Sequence, residues 1–176
     1  MKSAFVVDNK ILVIGVATWK VKEPNKYKEV IEKILDHCGT IVTSGEIIKE
    51  CIGSAKRILR SYGIGITHFI DIYNKFKHEI KKTYGKKKIM EMNKSKINCI
   101  KKTEYYNELI ERLKNILKER YDEKDEKLIE CAIAGGASSI ILEDTPWTDI
   151  GSVTIPIGSN KLELQFIRPD SIISDC

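Results

Sequence analysis

Long apolar runs, paired cysteines and histidine clusters are all missing from this sequence. Its longest apolar stretch, Ile11 to Trp19, lies between Lys10 and Lys20 and is about half of what crossing a bilayer takes. Ahead of it only Ala4 to Val7 precede Asp8, too short a run for the apolar core of a secretory signal. No membrane association is expected. The five cysteines (Cys38, Cys51, Cys99, Cys131, Cys176) are odd in number, scattered and without C-x-x-C spacing, so we read them as reduced thiols of a cytoplasmic protein. His37 adjoins Cys38, but no further ligands follow at zinc spacing. Internal repeats and low-complexity linkers are lacking too.

What is present is a globular composition with unevenly spread charge. A chain of 176 residues, 42% hydrophobic and 31% charged, reads as one soluble domain. Residues 56–121 hold 18 Lys or Arg against 7 Asp or Glu, a formal +11, whereas the remainder holds 12 against 18, a formal −6. A basic segment beside an acidic remainder suits a polyanion held near a cation site, although a solvated lysine face has the same composition.

The patterning predicts a strand at Ala4 to Val7, a buried helix over 10–19 and an amphipathic helix from Glu23-Pro24 to about His37. A strand at Thr40 to Thr43 and a helix from Ser44-Gly45-Glu46 come next. Residues 61–121 read as a helical insertion, with arms over 67–84 and 103–121 and a basic elbow at Gly85-Lys86-Lys87-Lys88 between them. Asp122 to Ala134 is a further helix, stopped by Gly135-Gly136, and strands are predicted at Ser139 to Leu142, Val153 to Ile157 and Leu162 to Ile167. This order argues for a single α/β domain, a three-layer sandwich with a mainly parallel central sheet plus the helical insertion.

Four acids, Asp8, Glu46, Asp125 and Asp144, fall where a strand-like run ends or a helix-like run begins. In open α/β sheets ligands bind outside the carboxyl ends of the strands, so acids at several strand exits can meet in space. Each also has a structural reading. Asp8 can cap the helix behind it, Glu46 can form a capping box with Thr43, Asp125 stands in the same relation to Asp122, and Asp144 can make a turn ahead of Pro146. Only the joint pattern separates the readings. Carboxylates without His or Cys suit Mg²⁺ or Mn²⁺, and a cation would relieve their mutual repulsion.

The segment from Asp125 through Leu128, Ala132 and Gly136-Ala137 to Asp144 resembles the C-terminal motif of PIN-domain nucleases, in which an acid opens a helix and a strand leads to the final acid. Val6-Val7-Asp8 and Thr43-Ser44-Gly45-Glu46 are similar to the other two acid-bearing segments, and Ile167-Arg168-Pro169-Asp170 to the closing strand and turn. The resemblance covers residues 4–60 and 122–172. Lys10 stands where many members carry Asn, and Leu142 where Thr or Ser is frequent. It implies a PIN-like fold and a metal-dependent ribonuclease, with Asp8 and Asp125 as ligands, Glu46 as a ligand or base and Asp144 as a ligand directly or through water. Such a protein is either an RNA-processing enzyme or the toxin of a toxin–antitoxin pair, with an antitoxin or another protein as partner.

Lys81, Lys82, Lys86, Lys87, Lys88, Lys101 and Lys102 are the expected phosphate contacts, and Trp147 is a candidate base-stacking residue. The insert helices also offer an apolar face that fits either a homodimer contact or packing on their own sheet. Two other classes compete: a catalytically silent PIN-like module that binds RNA or protein, and a phospho-transfer domain with Asp8 as acceptor. The second is weakened because Asp8-Asn9-Lys10 lacks the D-x-D of haloacid dehalogenase phosphatases.

Overall fold

In the computed structural model, which describes residues 3–65, 68–85, 87–157 and 159–175, a six-stranded sheet runs through the centre, flanked by helices. The strand β1 (Ser3–Val7) buries Phe5, Val6 and Val7, and α1 (Asn9–Ala17) follows after one residue, with Ile11 to Ile14 and Val16 in the core. α2 (Lys26–Lys33) ends in a π-helical turn over Ile34–Cys38 and leads to β2 (Gly39–Ser44) and α3 (Gly45–Ser61). Next come α4 (Phe69–Tyr84), β3 (Ile89–Met92), α5 (Lys94–Lys101) and α6 (Glu104–Leu117). The chain closes with α7 (Glu126–Gly135), β4 (Ser139–Ile141), α8 (Thr145–Thr148), β5 (Ser152–Ile157), β6 (Asn160–Ile167) and α9 (Pro169–Asp175).

The sheet order is β3-β2-β1-β4-β6-β5, parallel throughout except for the β5–β6 hairpin at one edge. The segment expected to be a purely helical insertion therefore also supplies the opposite edge strand, with Ile41↔Ile89 and Ser44↔Met92 in register. Four residues between a lysine run and the Asn93 cap carry too little pattern to announce a strand. Pairing with the ready edge of β2 decides it.

Gly39 opens β2 at φ +153, and a Cβ there would overlap the Ser3 carbonyl. Both the backbone angle and the close approach require glycine. Gly39→Ala is expected to cost at least about 2 kcal/mol, seen as a lowered urea midpoint with an unchanged m-value. Gly136, left-handed at φ +67, ends α7 in a Schellman turn in which Ala137 N–H bonds Ala132 O at 2.8 Å. That turn sets the reach from Asp125 to Asp144.

Candidate active site

Strand order reverses at β1, with β2 on one side and β4 on the other, which makes the β1–β4 crevice the switch point where such sheets bind ligands. Asp8 is the first residue after β1, and its backbone N–H bonds Ile141 O at 2.9 Å. Asp144 lies just past the exit of β4. Asp125 closes a 3-10 turn over Glu123–Asp125 and stands at the start of α7, which packs along β1, β2, β3 and β4.

The capping roles available to these acids are only partly taken. Asp8 does cap α1, accepting from Asn9 N–H at 2.6 Å. Asp125 occupies the cap position of α7 but makes no side-chain capping bond, because Asp122 caps the preceding turn through Lys124 N–H at 2.9 Å. Its carboxylate is left for other work. Burial, then the charge of Asp8, with smaller contributions from Asp122 and Asp144, pushes the Asp125 carboxyl up to about 6, against a smaller opposing effect of Lys127. Burial raises Asp8 too, and Glu50 and Asp144 add to the rise while Asn9 N–H and Lys127 oppose it. The exposed Asp144 is raised by desolvation and by Asp122, opposed by Arg120. Asp8, Asp125 and Asp144 thus form one electrostatic cluster.

Glu46 is placed differently. Ser44, not Thr43, caps α3, so Glu46 falls at the second helical position and the expected capping box is not formed. It lines a cavity of about 570 Å³ with Ser44, Glu91, Asn93 and Lys94, at the exits of β2 and β3. Glu50, one turn further and about 40° round the helix, is the α3 acid that acts on Asp8, and it forms an ion pair with Lys127. Asp8 and Glu50 line a second cavity of about 400 Å³, together with Lys10, Ser54, Arg57 and Tyr62. The signal for Glu50 was its i+4 relation to Glu46. What selects it is the packing of α3 against α1, which turns the stripe Glu50, Ser54, Arg57, Ser61 toward Asp8.

The expected phosphate contacts scatter. Because β3 runs parallel to β2, the elbow that precedes it lies at the amino edge of the sheet: Ile41 N–H bonds Lys88 O, and Thr40 Oγ1 donates to Lys87 O. Lys81, Lys82, Lys87 and Lys88 are thus roughly a strand length, about 15 Å, from the acids at the carboxyl edge. Lys86 lies outside the described residues. Lys101 pairs with the buried Glu130 at 3.0 Å, which also accepts from Tyr106, and Lys102 is exposed at the end of α5. Trp147 is 1% exposed, packed between Tyr121 and Phe166, so neither ring face is open to a base.

One further acid organises the rim. Glu143 receives Lys10 Nζ, Lys26 Nζ and Tyr27 OH, each at 2.6 Å, and Tyr27 OH meets Tyr62 OH at 3.0 Å. Burial would raise its carboxyl, but these three donors outweigh it and hold it down at about 2. The network ties the β4 exit, next to Asp144, to α1, α2 and the end of α3, and it draws the Lys10 ammonium onto Glu143.

The donor set fits a hard divalent ion in chemistry: carboxylate oxygens with raised proton affinity. Among the described residues, no three His, Cys, Asp or Glu side chains are gathered closely enough to hold a metal. Compared with known proteins, the chain matches no family model, no curated protein and no solved structure.

Proposed function

We propose that the protein is a Mg²⁺- or Mn²⁺-dependent ribonuclease of PIN-like fold, acting either in RNA processing or as a toxin. The observation that carries this reading is the placement of Asp8, Asp125 and Asp144 about the switch point of the sheet, where burial raises all three carboxyls and the charge of Asp144 adds to the rise of the other two. A structural set of caps would spend its carboxylates on backbone N–H groups, whereas Asp125 stands at the cap position of α7 without a side-chain capping bond. Asp8, Asp125 and Asp144 would hold the ion by drawing in around it, since as described they stand too far apart to hold one together. When bound, it supplies an activated water and neutralises charge on the leaving oxygen of a phosphodiester. Glu50 stands at the edge of the cluster as the carboxylate that orients the attacking water, its own position fixed by Lys127. Arg57 gives the adjoining cavity a cationic wall for phosphate.

A silent, RNA-binding module is the second reading. Lys127 favours it, because its ammonium stands among Glu50, Asp8 and Asp125 and offsets part of the charge a metal would neutralise. Cleavage of 5′-labelled single-stranded RNA in Mn²⁺, compared with EDTA and with Asp8→Asn, separates the two. The nuclease reading expects cleavage by wild type in Mn²⁺ alone. Equal activity of Asp8→Asn, or binding without cleavage under every condition, would contradict it.

A further inference from the structure

The cavity between α1 and α3 has a wall that the acids do not use. We infer that it is a subsite for a short stretch of an RNA strand, in which Arg57 holds a phosphate neighbouring the scissile one, Tyr62 meets a base on one side of it and Ser54 receives a ribose 2′-hydroxyl on the other. This rests on the ribonuclease reading and gives it a substrate path different from the lysine elbow.

Four observations converge on that assignment. At about 400 Å³ the cavity lies within the roughly 300–1,000 Å³ of small-ligand sites, and Asp8 and Glu50 place it against the acids. Its two cations are not equivalent. Lys10 is committed to Glu143 at 2.6 Å, whereas exposed Arg57 makes no ion pair among the described residues, so its planar fork is free for a phosphate. Tyr62 is 41% exposed, and its ring is held by an edge contact with Tyr27 at 5.9 Å, by the shared hydroxyl bond and by Lys10 Nζ 5.6 Å from its centroid. A fixed, exposed ring is a stacking surface whose ordering cost is already met.

The hydroxyls define the sugar. Ser54 Oγ donates to Glu50 O at 2.7 Å and Ser61 Oγ to Ile58 O at 2.7 Å, so each hydrogen is spent and what remains is acceptor capacity. A ligand hydroxyl that donates to such an oxygen beside a phosphate held at Arg57 fits a ribose 2′-hydroxyl, the group by which RNA is told from DNA. An oxygen-accepting wall beside an arginine therefore favours ribonucleotide over deoxyribonucleotide.

The test is fluorescence anisotropy with a labelled eight-nucleotide single-stranded RNA and its DNA counterpart, in EDTA. Wild type is compared with Arg57→Met, Ser54→Ala and, as an equal-charge control on the adjoining stripe of α3, Arg60→Met. Arg57→Met is expected to weaken RNA binding about 10-fold and to lower the salt slope by about one, against less than about 3-fold for Arg60→Met. Ser54→Ala is expected to weaken RNA about 3-fold and leave DNA unchanged. Equal losses for Arg57→Met and Arg60→Met would reduce the site to diffuse charge and overturn it, as would a Ser54→Ala loss shared by RNA and DNA, or no RNA binding by wild type. Mn²⁺-dependent cleavage of the same RNA is read in parallel. Its absence from a protein that binds with these differences refutes the nuclease alone, and its presence with an indifferent Arg57 refutes the subsite alone.

Discussion

Asp125→Asn is expected to raise the melting temperature of the metal-free protein at pH 7.5 while lowering Mn²⁺-dependent cleavage by 10³-fold or more, in order of magnitude. The two effects have one cause. Burial and the charges of Asp8, Asp122 and Asp144 lift the Asp125 carboxyl from its usual 3.8 to about 6, so at neutral pH the folded protein holds a charge it disfavours. Asparagine has the same shape without that charge, and no capping bond is lost with it. Discounted for partial exposure to solvent, relief is on the order of 1–2 kcal/mol, or about 2–8 °C for a chain of this size. The pH dependence follows the same sign. Because the folded state keeps this proton where the unfolded chain has lost it, the stability it contributes is fully present below about pH 4 and is lost as pH rises through about 6. The slope of melting temperature against pH between those values should therefore be flatter in Asp125→Asn. Mn²⁺ should stabilise the wild type and not the variant, since a ligand stabilises only the state that binds it. A purely structural Asp125 would behave in the opposite way, losing stability on substitution and ignoring Mn²⁺.

Glu50→Gln should reduce turnover by 10²-fold or more, in order of magnitude, whereas Glu46→Gln should stay within about 3-fold of wild type. Both residues are exposed glutamates on the same helix, one turn apart, so the pair controls for propensity and net charge. Only Glu50 acts on Asp8 and lines the cavity beside it, while Glu46, one turn nearer the start of α3, lines the other cavity with Ser44, Glu91 and Lys94. Melting curves of the two variants check that the difference is chemical, since Glu50→Gln also weakens the pair with Lys127. The reverse ranking, with Glu46→Gln inactive and Glu50→Gln normal, would move the reaction to the larger cavity at the exits of β2 and β3.

The contrast between these glutamates shows where sequence reasoning stops. Asp8 and Asp144 could be placed from sequence because each follows an apolar run that can only be a central strand, and the carboxyl ends of parallel strands share one edge. Asp125 could be placed because the helix, the Gly136 turn and β4 form a unit of fixed reach. Glu46 and Glu50 both lie on a helix whose start was legible, but which of them faces Asp8 depends on how α3 packs on α1, a tertiary contact with no local signature. The position of the lysine elbow was hidden for a related reason. Its charge is real, but β3 turns it to the far edge, and a four-residue edge strand has too little pattern to be seen. Trp147 follows the last acid in sequence, yet its indole is drawn into the core against Phe166 and Tyr121.

The most direct test is a crystal of the protein soaked in Mn²⁺ and measured at the manganese absorption edge. The proposed site predicts an anomalous peak at roughly 2.0–2.6 Å from carboxylate oxygens of at least two of Asp8, Asp125 and Asp144, with Glu46 uninvolved. No peak at the β1–β4 crevice at millimolar Mn²⁺, with Lys127 still paired to Glu50, would contradict it.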